Sequence, residues 1–263
     1  MNVAEEMCAS WLRHVKKCAV VQLNFRVSKL WHEIDGGEPL EMCNALRKRL
    51  EKHYGFKLFG IKKRIKDRDL KQIFNSAELD VVGFDFGMEE LLICEVADHR
   101  RGCDYGGKDL TIRKVAEKVV RAVAVARTYT SVEHITVYVV ATMISKPMHK
   151  SIQVLIDRIN DYYETCADDK CQVQIIPILG HEVVPLLLND LLTVAEDANI
   201  DDLFVRSLGL VNTYYFMLDC SRFYNKQNVS NRRITKVVRE TKQRLGDTLR
   251  KCEEDFNKHK QAR

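Results

Sequence analysis

Two stretches decide the fold of this chain: LDVVGFDF at residues 79–86 and LLICEV at residues 91–96. Both are short and rich in aliphatic, β-branched and aromatic residues, which is typical of β-strands. Only the turn Gly87–Glu90 separates them. Because so short a connection can join only antiparallel neighbours, the sequence predicts a β-hairpin here.

The segments that follow the hairpin alternate between helix and strand. An amphipathic helix is predicted over residues 110–129, a strand buried on both faces over 134–143, a helix over 148–165 and a strand over 172–179. Pro177 in the last strand indicates an edge position. Since a helix between two strands implies a right-handed crossover and a parallel pair, we predict an α/β fold with a mixed central sheet flanked by helices.

The flanking parts of the chain are predicted to be mainly helical. On the N-terminal side we predict helices over 3–17 and 38–54, a short strand over 56–61 and a surface loop or helical turn over 62–76. On the C-terminal side the predicted helices are 181–197, 201–218 and 229–259. The domain prediction is therefore an α/β core over 1–180 and a helical C-terminal extension over 181–263, packed on that core.

Composition excludes several classes of protein. Of the 263 residues, 46% are apolar and 30% charged, which argues against disorder. No apolar run reaches the roughly 18 residues of a membrane span, and the N-terminus lacks the apolar segment of a signal peptide. We expect a cytoplasmic protein that does not enter a membrane.

No two of the nine cysteines form a CxxC pair. Reduced thiols are therefore expected, with a Cys166–Cys171 disulfide as the alternative.

Two acidic residues of the hairpin are the strongest candidates for a functional site. Asp80 lies at the start of the first strand and Glu95 near the end of the second, so the antiparallel pairing brings them together. Two adjacent carboxylates repel each other, and a divalent cation that prefers oxygen ligands removes that repulsion. The sequence therefore favours a magnesium site. The alternative is that both side chains are solvent-facing strand ends.

Basic residues are concentrated just before the hairpin. The net charge is only +5, but the stretch 57–71 is strongly basic. Lysine and arginine clusters can neutralise nucleic-acid phosphates, although a solvated surface gives the same pattern. The candidates for phosphate contact in this stretch are Lys62, Lys63, Arg64 and Lys66.

The order of these elements resembles the PD-(D/E)XK superfamily of restriction-endonuclease-like nucleases. The resemblance covers roughly residues 38–145 and is carried by ELDVVGFD, ELLICEVAD and HITVYVVAT. It implies a restriction-endonuclease-like core in which Asp80 and Glu95 ligate Mg²⁺ or Mn²⁺, together with the backbone carbonyl of Val96. An acidic residue of the preceding helix sometimes contributes in this family, and the candidates are Glu41 and Glu51.

The chain departs from the family pattern at the motif lysine, because position 97 is alanine. Some members of the family supply that charge from the following helix, which here makes Lys114 the first candidate and Lys108 the second. His99 and Arg100, just beyond the second strand, are further candidates. Arg100 and Lys118 are also predicted to contact nucleic acid. A solvated basic face is the alternative for all of these residues.

These features lead to three hypotheses. The first is a magnesium- or manganese-dependent nuclease that hydrolyses DNA, with RNA as an alternative substrate. The C-terminal helix of such a nuclease would pack on the core or, alternatively, form a homodimer. The second, favoured by Ala97, is a nuclease fold without catalysis that binds nucleic acid or acts in assembly. The third is an α/β protein with neither activity.

Overall fold

The computed structural model describes seven parts of the chain: residues 3–27, 38–60, 74, 77–98, 102–165, 171–195 and 202–209. Within these parts the chain forms an α/β fold, in which a mixed β-sheet has helices on both of its faces. The predicted fold class is confirmed at this level.

The sheet has five strands that lie side by side in chain order. The first three pair antiparallel, and the third, fourth and fifth pair parallel. The predicted hairpin is present, with its register running from Asp85 opposite Glu90 to Val81 opposite Cys94. The strands are β1 Val20–Arg26, β2 Glu78–Asp85, β3 Glu90–Val96, β4 His134–Ala141 and β5 Gln172–Leu179.

Helices connect and cover these strands. Gly55 adopts a left-handed conformation with φ 74° and ends the second helix, as its position in the sequence predicted. The helices are α1 Val3–His14, α2 Glu38–Tyr54, α3 Lys108–Tyr129, α4 Lys146–Thr165 and α5 Asn189–Ala195. Short 3₁₀ turns at Leu58–Gly60 and Gly180–Glu182, a π-helical turn at Val184–Leu188 and a helical segment at 203–209 complete the described elements.

The two faces of the sheet pack against different helices. Leu91 and Ile93 of β3 share one core with Val115 and Val119 of α3. The opposite face carries Tyr138, whose ring meets that of Trp11 in α1 edge to face at 5.0 Å. Because successive side chains of a strand point to opposite faces, Glu95 lies on the α3 side together with Leu91 and Ile93.

In the N-terminal half, one strand was missed and one prediction was wrong. Strand β1 was not predicted, although VVQLNFR alternates apolar and polar residues as an exposed edge strand does. The strand predicted over 56–61 is instead the turn Leu58–Gly60. Its amides bond to carboxylates and not to a neighbouring strand: Leu58 donates to Glu51 at 3.0 Å and Phe59 to Glu117 at 2.6 Å.

Some predictions fall on parts of the chain that the structure does not describe. The basic segment 62–76 lies outside the described residues except for the buried Phe74, and the predicted helix 229–259 lies wholly outside. The chain divides into compact units of residues 1–194 and 195–263. The predicted division after residue 180 stays a prediction. No helix in the described ranges is long and apolar enough to cross a membrane.

Candidate functional site

The end of the β-hairpin brings Asp80 next to β3. The regular pairing of β2 with β3 stops at Val81 and Cys94, one residue before Asp80 is reached. Beyond that point the side chain of Asp80 takes the place of a backbone partner, because its Oδ2 accepts a hydrogen bond from the amide of Val96 at 2.7 Å. The carboxylate is thereby fixed beside the residue that follows Glu95.

Glu95 is a fully buried carboxyl group, with 0% of its surface exposed. Burial raises its pKa to about 7, since the loss of water outweighs the attraction of Lys118, and the nearby charge of Asp80 raises the pKa further. Among the described residues, no donor bonds to its Oε1. A buried acceptor without a donor is costly, so this atom is a candidate position for a ligand.

Lys118 of α3 joins the two carboxylates. Its Nζ lies 2.5 Å from Oδ2 of Asp80 and 3.0 Å from Oε2 of Glu95. Burial opposes the charge of this ammonium group, but the two carboxylates outweigh that effect and raise its pKa above the ordinary value. The sequence assigned Lys118 only to nucleic-acid contact, whereas the structure places it between the two predicted metal ligands.

Two further residues of the cluster were missed as site residues. Arg121 lies 3.7 Å from Oε2 of Glu95 through its guanidinium group. It follows Lys118 by three residues on the same helix, and that spacing was the available signal. Tyr105 is half-buried and close enough for the charges of Lys118 and Asp80 to act on its pKa, although burial is the main cause of its rise. Nothing in the sequence around Tyr105 indicated this position.

The two lysines predicted to assist catalysis lie elsewhere on α3. Lys114 bonds to Glu117 at 2.8 Å, one turn before Lys118. Lys108 is the first residue of the helix and is exposed. Of the three lysines proposed on this helix, Lys118 is the one that contacts the carboxylate pair.

The acidic candidates on α2 are not bonded to the carboxylate pair. Glu51 is buried and accepts hydrogen bonds from the amide of Leu58 and from the side chains of Arg47 and Lys57. These contacts hold the turn after α2, which is a structural role. Glu41 is exposed on the same helix.

The remaining predicted nucleic-acid contacts fall outside the described residues. This holds for Lys62, Lys63, Arg64, Lys66 and Arg100, and also for the alternative catalytic residue His99.

The donor set suits a hard divalent cation, but it is incomplete in the described ranges. Asp80 and Glu95 offer carboxylate oxygens, and the backbone carbonyl of Val96 follows directly in the chain. Oε1 of Glu95, to which no described donor bonds, is also available to such a cation. Within the described parts of the chain, however, no three His, Cys, Asp or Glu side chains are grouped so that they could hold a metal ion.

Comparisons with protein-family models, with curated proteins and with solved structures found no match to this chain. The cluster formed by Asp80, Glu95, Lys118 and Arg121 is therefore the feature of the described chain that indicates a function.

Proposed function

We propose that this chain is a metal-dependent nuclease of the PD-(D/E)XK type that hydrolyses phosphodiester bonds in DNA. The observation that carries the proposal is the meeting of Asp80, Glu95 and Lys118 at the end of a β-hairpin. Asp80 and Glu95 match the acidic residues of the family signature, and Lys118 brings a lysine beside both from helix α3 and not from position 97, where the signature has it.

The arrangement of elements supports a restriction-endonuclease-like core. The hairpin of β2 and β3 is preceded by helix α2 and followed by the crossover helix α3 and the parallel strand β4. This is the order of helix, antiparallel strand pair, crossover helix and further strand that the family resemblance implies. The additional strands β1 and β5 extend the sheet on either side.

In this proposal each residue of the cluster has a separate role. Asp80, Glu95 and the carbonyl of Val96 would hold Mg²⁺ or Mn²⁺, which would supply charge stabilisation for a phosphate oxygen and activation of water. Lys118 replaces the lysine missing at position 97: it orients the attacking water and neutralises charge that develops on the phosphate. Arg121 balances the negative charge of Glu95 from its position on helix α3.

A second function is favoured by a different property of the same cluster. Lys118 and Arg121 together carry as much positive charge as Asp80 and Glu95 carry negative charge when both are ionised. A cluster that is neutral without a metal can be purely structural. In that case the chain is a non-catalytic protein of the same fold that binds nucleic acid or acts in assembly.

A cleavage assay separates the two functions. Supercoiled, linear and single-stranded DNA, and RNA in parallel, are incubated with the purified chain and Mg²⁺ or Mn²⁺. We expect metal-dependent cleavage that is lost in Asp80→Asn and Glu95→Gln. The matched control is Glu90→Gln, the same substitution at the other end of β3, where the carboxylate bonds to Thr136 and not to Lys118. Cleavage that persists in Glu95→Gln would contradict the nuclease proposal.

Nucleic-acid binding is tested separately from cleavage. Replacing Lys62, Lys63, Arg64 and Lys66 with glutamine should weaken DNA binding and reduce its dependence on salt, because each phosphate contact releases counterions. The control replaces four exposed lysines of α2 and α4 with glutamine: Lys48, Lys52, Lys146 and Lys150. Equal loss in both variants would mean that binding follows net charge and not the segment before the hairpin.

A further inference from the structure

The ammonium group of Lys118 lies between the two carboxylates that would hold a divalent cation. It contacts one oxygen of each carboxylate, Oδ2 of Asp80 at 2.5 Å and Oε2 of Glu95 at 3.0 Å. A divalent cation held by the same two side chains would use oxygens of the same two carboxylates. The lysine and the cation would therefore draw on the same two carboxylates, with Oε1 of Glu95 the oxygen to which no described donor bonds.

The positive charge of the cluster adds to this competition. Arg121 lies 3.7 Å from the Glu95 oxygen that Lys118 also contacts. A cation entering between the carboxylates would meet both positive side chains at short range. Because Glu95 is fully buried and the water that would screen these charges is largely excluded, their repulsion is stronger than it would be at the surface.

We propose that Lys118 is an internal competitor that sets the affinity of the site for divalent cations. This inference rests on the proposed function only in placing the metal site at Asp80 and Glu95. A cation held by these carboxylates would lie at short range from the ammonium group, so the affinity of the native chain is lower than the carboxylates alone would give. Lys118 is thus a residue that tunes metal affinity, whether or not the chain cleaves nucleic acid.

The test is a titration of the full chain with Mn²⁺ alone. Binding is measured by calorimetry and by the decrease in the electron paramagnetic resonance signal of free Mn²⁺. Lys118→Met removes the competing charge and keeps much of the side-chain volume. We expect its Mn²⁺ affinity to exceed that of the native chain by roughly tenfold or more, since a positive charge at contact distance is removed.

Lys114→Met is the matched control. It removes the same charge from the same helix, one turn away, but Lys114 bonds to Glu117 and not to the carboxylate pair. We expect its Mn²⁺ affinity to stay close to that of the native chain. The double variant Glu95→Gln/Lys118→Met should lose the gain, which places the bound ion at Glu95. If Lys118→Met does not fold, Lys118→Gln keeps a hydrogen-bond donor without the charge and should tighten binding in the same direction.

The outcomes for this inference and for the nuclease proposal are distinct. Tighter Mn²⁺ binding by Lys118→Met without any cleavage by the native chain supports the competitor and removes the nuclease. Metal-dependent cleavage by the native chain, with unchanged or weaker binding by Lys118→Met, overturns the competitor and leaves the nuclease. If neither the native chain nor the variants bind Mn²⁺ at millimolar concentrations, the competitor is overturned.

Discussion

Replacement of Lys118 by methionine should destabilise the chain in the absence of metal. The variant leaves Asp80 and Glu95 close together without the ammonium group between them. At the 3.0 Å separation from Glu95, an effective dielectric constant of about 20 gives an attraction of roughly 5 kcal/mol. Removing one partner of a buried ion pair typically costs about 3–5 kcal/mol. We expect a loss of unfolding free energy in that range.

The assay is urea unfolding followed by tryptophan fluorescence, because Trp11 is buried against Tyr138. It is carried out at a pH of about 8, one unit above the pKa of about 7 for Glu95, so that Glu95 of the native chain is ionised. Lys114→Met is again the control. Its side chain is 44% exposed, and an ion pair as exposed as this contributes at most about 1 kcal/mol.

Two results would refute this reasoning. The first is a loss below about 1 kcal/mol for Lys118→Met, which would equal the value for an exposed pair. The second is a loss that Glu95→Gln does not reduce when it is combined with Lys118→Met. Residues in contact should show a coupling energy of about 0.5–3 kcal/mol, and additive effects would mean that Lys118 and Glu95 do not interact.

Three further predictions concern stability. Burial raises the pKa of Glu95 from 4.5 to about 7, so between these pH values the folded chain retains a proton that the unfolded chain has released. The unfolding free energy should therefore fall by about 3 kcal/mol as the pH rises through this interval. Glu95→Gln should remove this pH dependence when unfolding is measured by urea titration. Gly83→Ala places a Cβ 2.8 Å from Sγ of Cys18 and should lower the unfolding free energy by about 1–3 kcal/mol. Gly87→Ala, whose Cβ would lie 3.4 Å from its nearest atom, should leave the unfolding free energy nearly unchanged in the same measurement. Asn160→Ala removes the side chain that bonds both the amide and the carbonyl of Ile175 on β5, and thermal unfolding should report a loss of about 1–3 kcal/mol. The control is Gln153→Ala on the same helix, which removes a solvent-exposed hydrogen bond to Asp157 and should cost less than about 0.5 kcal/mol. Equal effects of the two substitutions would contradict this role of Asn160.

The parts of the fold that the sequence predicts best are those with a strong local pattern. The hairpin of β2 and β3 follows from two apolar runs and a short turn, and α3 follows from valines at helical spacing. Strand β1 was missed because it is an exposed edge strand whose partner, β2, comes more than 50 residues later in the chain. The turn at Leu58–Gly60 was mistaken for a strand because the carboxylates that bond its amides belong to α2 and α3.

The candidate site was predictable for its acids and not for its base. Antiparallel pairing alone places Asp80 beside Glu95, so a local argument is sufficient for the two carboxylates. The choice among Lys108, Lys114 and Lys118 depends on how α3 rotates about its axis over the sheet. Lys114 was preferred because it lies in the first turn or so of the helix predicted over 110–129 and can face the ends of the hairpin. Packing instead turns Lys118 toward the sheet and leaves Lys114 beside Glu117.

The alanine at position 97 now has a structural explanation that does not require the loss of a lysine from the site. Ala97 has 0% of its surface exposed and belongs to the same core as Ile93 and Val119. A lysine at this position would have to bury its charge in a core that Lys118 already approaches from the opposite side. Lys118 and Arg121 already balance the charges of the two carboxylates, so a further ammonium group on β3 would add uncompensated positive charge. Ala97 therefore gives little support to the non-catalytic alternative, for which the charge balance of Lys118 and Arg121 is the stronger argument.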